Sequence, residues 1–117
     1  MSDKAWKAFE RRVAERSGGT RISVSDRKTD LDVDHNYLGI ECKYRNKLPQ
    51  YLKDWYAQAE RGSSDTQIPV VVIGEKNSSK MYALMDFDKL TELIASMCAL
   101  LDEIEQDDKG WNYGGTD

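Results

Sequence analysis

TDLDVDHNYLGIECKYR, residues 29–45, is the stretch on which the fold turns. It reads as two short strands, Asp30 to Asp34 and Leu38 to Tyr44, joined by a polar turn at His35-Asn36. Side chains alternate faces along a strand. Glu41 and Lys43 therefore share one face, and Ile40, Cys42 and Tyr44 share the other. A carboxylate beside an ammonium on a strand otherwise built for burial needs a reason, because unmatched buried charge is costly. Hard divalent cations supply one. Mg2+ takes oxygen ligands and keeps several waters, so one or two carboxylates plus a substrate phosphate suffice to hold it. Asp32 and Glu41 are the expected ligands, with the backbone carbonyl of Cys42 between the two functional side chains as a third. Lys43 is placed to orient a water and to stabilise charge on a phosphate. Asp30, Asp32 and Asp34 share a strand face. Asp32 is preferred because it is central and lies nine residues before Glu41.

On the N-terminal side, residues 3–17 read as a helix. Ala5, Trp6, Phe9 and Val13 form its apolar stripe, and Gly18-Gly19 stops it. Glu10 lies at the edge of that stripe, within reach of the site as a further metal ligand, direct or through water. Arg21 to Val24 is a first strand and Ser25 to Lys28 a basic turn. On the C-terminal side, a second helix opens at Lys47-Leu48-Pro49, with Pro49 in its first turn. Leu48, Leu52, Trp55, Tyr56 and Ala59 make its buried stripe, and Gly62 follows it. Ile68 to Ile73, IPVVVI, fits a strand buried on both faces. A loop, Glu75 to Ser79, leads to a last strand, Lys80 to Met85. Asp86 caps a third helix over about 87–105. Its seam of Phe87, Leu90, Ile94, Met97, Leu101 and Ile104 suits packing on the sheet or a contact with a second copy. Residues 106–117 read as an acidic, disordered tail.

The expectation is an α/β fold of order αβββαββα, with a mixed sheet of about five strands flanked by helices, in one domain over residues 1–105. The composition, 39% hydrophobic and 32% charged, reads as soluble and globular with no membrane partner expected, and no apolar run approaches the ~18 residues of a span. No leader peptide is expected. Cys42 and Cys98 are too few for a disulfide scaffold or a thiolate zinc site, which points to a reducing, cytoplasmic compartment. The net charge of −4 hides an asymmetry: residues 1–61 carry 13 Lys/Arg and 10 Asp/Glu, and residues 62–117 carry 4 and 11. A basic face around an acidic pocket suits a protein that grips phosphates. Arg11, Lys28, Arg45, Lys47 and Lys53 are the expected DNA contacts.

A helix Glu, then Asp, then Glu-x-Lys on the next strand resembles the PD-(D/E)XK nuclease superfamily. The matching residues are Glu10, Asp32 and Glu41-Cys42-Lys43, and the likeness covers roughly residues 5–85. In size and layout it is nearest to the small Holliday junction resolvases and to phage-type relatives. The continuation YRNKLPQYLKDWYAQAE, a basic loop and helix, is similar to phage members, and Gln58 is similar to an accessory glutamine in some branches. Leu31 stands where many members have proline. The resemblance implies a restriction-endonuclease-like core and a hydrolase that cuts branched DNA in recombination, using Mg2+ or Mn2+ and working as a homodimer. Two other readings remain open: a nuclease on linear or flap DNA in defence or recombination, and a non-catalytic DNA- or protein-binding module with the same fold.

Overall fold

Trp6, Phe9 and Val13 repeat at helical spacing, and α1 spans Ser2–Ser17. Gly18 ends it with φ 78°, a conformation cheap only for glycine. The Gly19 N–H donates back to the Ala14 carbonyl at 3.0 Å. A Cβ built on Gly19 would lie 2.5 Å from the backbone oxygen of Asp34, so the turn after α1 presses directly on the strand that carries the acids. The computed structural model describes residues 2–23 and 31–115, with side chains at 4–23 and 31–107.

Three two-residue strands follow: β1 (Thr20–Arg21), β2 (Val33–Asp34) and β3 (Gly39–Ile40). They form an antiparallel sheet of order β1-β2-β3, with Thr20 opposite Asp34 and Val33 opposite Ile40. α1 packs on β1 and β2. Ala14 and the fully buried Val33 mark the small core there. The strands are shorter than the sequence pattern suggests. The Ile22 N–H still donates to the Asp32 carbonyl at 3.0 Å beyond β1, while Val24 and the turn to Lys28 fall outside the described residues. β3 ends at Ile40, not Tyr44, for a reason tied to the site. The Cys42 N–H, the next that could extend the ladder, is taken by the Asp32 side chain instead.

α2 spans Gln50–Gly62, with Pro49 as its extended N-cap residue rather than inside the first turn. The expected buried stripe is corrected: no residue of α2 is buried. β4 (Val71–Gly74) and β5 (Met81–Leu84) form a separate antiparallel hairpin, Val71 opposite Leu84, and α2 packs against β4. IPVVVI is therefore not a central strand, and Val72 is 64% exposed. The single mixed sheet of about five strands is replaced, among the described residues, by antiparallel sheets of three and two strands. A continuous apolar run is buried on both faces only where a layer packs on each face of its sheet, and the described layer on β4 is α2. The α/β class and the order αβββαββα hold.

α3 spans Phe87–Gly115. Asp86 caps it as expected: its Oδ1 accepts the N–H groups of Asp88 at 2.8 Å and Lys89 at 3.2 Å. The helix runs past the expected end at 105 and through most of the segment read as a disordered tail. No proline follows Pro69, and the first glycine after Asp86 is Gly110, so nothing local stops it. α3 packs on α1 rather than on the expected sheet, with Arg16 and Asp88 3.8 Å apart across the contact. Farther along, its seam is uncovered, and Leu100, Leu101 and Ile104 are exposed. Among the described residues, no helix is long and apolar enough to cross a membrane.

Candidate metal and phosphate site

The two buried charged residues among those described are Glu10 and Asp32, at 4% and 5% exposure. A carboxylate that deep must be matched. α1 aims Glu10 at β1, where the Nε of Arg21 donates to its Oε1 at 2.8 Å. The Arg21 guanidinium also stands 6.0 Å from the Trp6 ring, so helix and strand are fastened twice. Asp32 acts through backbone: its Oδ2 accepts the Cys42 N–H at 2.7 Å, and its own N–H donates to the Ile40 carbonyl at 2.9 Å. One residue thus holds both Ile40 and Cys42 of the facing segment. Of the three candidate aspartates, Asp32 is the buried one. Asp34 is exposed, and Asp30 lies outside the described residues.

Glu41 and Lys43 lie together at the surface, past the end of β3. The Nζ of Lys43 is 2.9 Å from the Oε2 of Glu41, and the Lys43 side chain is 70% exposed. Cys42 between them is half-buried. Burial first, then the charges of Asp32, Glu10 and Glu41, push its thiol up to about 11. A cleft of about 180 Å³ opens there, lined by Glu10, Cys42, Lys43 and Arg45 with the rings of Trp6, Phe9 and Tyr44. Phe9 and Tyr44 stack with centroids 4.9 Å apart.

Carboxylates and a backbone carbonyl are the donor chemistry that Mg2+ or Mn2+ prefers. The acids do not close into a cage. Among the described residues, no group of three or more His, Cys, Asp or Glu stands close enough together to hold an ion. Each acid has its own partner instead: Arg21 for Glu10, the Cys42 N–H for Asp32, and Lys43 for Glu41.

The other expected residues divide. Arg45 lines the cleft. Arg11 is exposed on α1, and Lys47 is exposed just before α2. Lys53 lines a groove with Leu52, Tyr56 and Leu84, apart from the acids. Gln58 lines a cleft with Val70 to Gly74, so its expected accessory place beside the acids is not met, because α2 packs on the second sheet. Lys28 lies outside the described residues. Sequence reasoning missed Arg21 as the partner of Glu10. No periodic signal marked it, because the pair spans a helix and a strand. No family model, curated protein or solved structure matches the chain.

Proposed function

We propose that the chain is a metal-dependent endonuclease that hydrolyses DNA phosphodiesters, with branched DNA as its preferred substrate. The observation that carries the proposal is the cleft lined by Glu10, Cys42, Lys43 and Arg45, with the buried Asp32 carboxylate bound to the Cys42 N–H and Glu41 paired with Lys43. Asp32, Glu41 and the Cys42 carbonyl would hold Mg2+ or Mn2+, with Glu10 as a further ligand. When bound, the ion would polarise the phosphate and lower the pKa of a water. The chain's own residues do the rest. Asp32 fixes the backbone of Cys42, and so the direction of the side chains on either side of it. Lys43, exposed and on a flexible stem, swings from Glu41 to the phosphate and offsets the developing charge. Arg45 grips a neighbouring phosphate. Two copies joined through the uncovered α3 seam would supply two cuts, one on each side of a junction.

The test is cleavage of a labelled four-way junction beside a matched linear duplex, with Mg2+ and with chelator, by the wild type and by Lys43→Ala. Paired junction cuts that need both metal and Lys43 are expected. Equal cutting of junction, flap and duplex would keep the nuclease and remove the branch preference. A specific observation favours a second reading, a non-catalytic binding module: Glu10 and Glu41 already have cationic side chains as partners. Binding that ignores Mg2+, with no cutting of any DNA form, would establish that reading in place of the first.

A further inference from the structure

A second cleft, of about 400 Å³, abuts the first, and Arg12, Arg16 and Phe87 on its lining take no part in the reaction proposed above. The two share Phe9, Cys42 and Lys43, so Lys43 stands on the boundary between them. The floor of the larger cleft is apolar: Val13, Ile40 and the rings of Phe9 and Phe87. Its rim is cationic: Arg12, Arg16 and Lys43, with Glu41 as the one acid. That acid is already matched by Lys43 at 2.9 Å. Asp88, nearby on α3, meets Arg16 only at 3.8 Å, and more than half of each side chain is open to solvent. Both ion pairs are exposed enough to exchange partners at little cost. The Arg12 guanidinium stands 5.5 Å from the Phe9 ring.

Aromatic side chains beside guanidinium groups are the chemistry that holds a nucleobase by its face and its phosphate by charge. The volume lies within the range of about 300–1,000 Å³ found for small-molecule sites. Solvated arginines on a helix face would be the ordinary reading of Arg12 and Arg16. Their position over an aromatic-floored cleft next to the acids argues for more.

We propose that this cleft takes one unpaired nucleotide of the DNA strand. Its base lies on the floor made by Phe9 and Phe87, and its phosphates meet Arg12 and Arg16. The strand then passes Lys43 toward Glu10 and Asp32. The placing of the strand rests on the nuclease reading, but the binding needs no metal. Bases in a duplex have both faces covered by their neighbours and cannot enter without unstacking. The cleft therefore confers a preference for branch points, gaps and single strands.

The test uses the full chain in chelator. Fluorescence anisotropy is measured with an oligo-dT strand, a blunt duplex of equal length, and a single strand carrying one 2-aminopurine. The single strand is expected to bind about tenfold tighter than the duplex, the size of one stacked base, and the 2-aminopurine signal is expected to be quenched. Arg12→Gln with Arg16→Gln should weaken single-strand binding and flatten its salt dependence by roughly the share of two phosphates. Phe87→Leu, which keeps apolar bulk, should remove the single-strand preference and the quench. Circular dichroism melts check its folding, and the exposed arginine pair serves if it does not fold. Equal affinity for single strand and duplex, or full binding by the arginine variant, would overturn the cleft. The nuclease reading fails separately. Absence of Mg2+-dependent cutting beside an intact single-strand preference would sink the nuclease and keep the cleft. Cutting with no effect of the cleft variants would do the reverse.

Discussion

The half built on α1 and the three-stranded sheet differs from the half built on the β4–β5 hairpin, α2 and α3. All four buried residues among those described, Glu10, Ala14, Asp32 and Val33, belong to the first. Two of the four are acids. The second half is richer in long apolar runs, yet Val72, Met81, Tyr82 and Leu100 are exposed. Burial in this chain does not follow hydrophobicity. It follows where α1 meets β1 and β2, and what it encloses is charge. The first half holds acids in a fixed, partnered setting. The second leaves apolar surface without a covering layer, and that surface carries the proposed pairing of copies.

The sharpest way to break the contrast is to remove the cation from the first half. Arg21→Ala leaves Glu10 buried and unmatched, which should cost about 3–5 kcal/mol in urea unfolding at neutral pH. Adding Glu10→Gln should recover most of that loss. If the single variant unfolds at the wild-type midpoint, the acids are not held as described. Lys43→Ala should separate chemistry from stability. Cleavage should fall by about 100-fold or more, while stability shifts by less than about 1 kcal/mol, because the Glu41 pair is exposed. Asp86→Ala removes the α3 cap and should cost about 1 kcal/mol in the same unfolding assay. The smallest effect should come from the outer sheet: Val72→Thr should change stability by no more than about 0.5 kcal/mol. A larger loss would mean that this face is covered in solution. Leu100→Glu sharpens the same point, since in sedimentation it should convert paired copies to single ones.

The Cys42 thiol gives a pH test of the acid cluster. Its proton is held more tightly in the folded chain, where the thiol titrates near 11 against an ordinary value of 9.0. Folding thus disfavours the thiolate. Below pH 9 this has no consequence for stability; between 9 and 11 the unfolded chain loses the proton first, and stability should fall. Alkylation of Cys42 by iodoacetamide at pH 8 should be slower than that of a free thiol. Asp32→Asn should speed it.

Local signals proved readable and lateral ones did not. The glycine stop after α1, the Asp86 cap and the order of elements depend on neighbours in sequence, and all are present. The closeness of Glu41 and Lys43 was also readable, since the two stand two residues apart in sequence and meet at 2.9 Å. What the residues could not tell was who pairs with whom. IPVVVI has the same composition in a central strand as in a hairpin, and only the missing neighbour beyond β4 separates the two. The α2 stripe fails likewise, since it faces a two-stranded sheet too narrow to cover it. At the site, the acids were legible as types, and Asp32 as the central one. Arg21 was not, because an ion pair spanning a helix and a strand leaves no periodic trace.

The bond from the Cys42 N–H to the Asp32 carboxylate links one amide to one acid. In a proton–nitrogen correlation spectrum, that amide should resonate downfield and exchange slowly with deuterium, although no strand continues through it. Any change in what the carboxylate holds must move this single peak. Occupancy of the acid cluster can therefore be followed by titration at one resolved position, without substrate and without turnover.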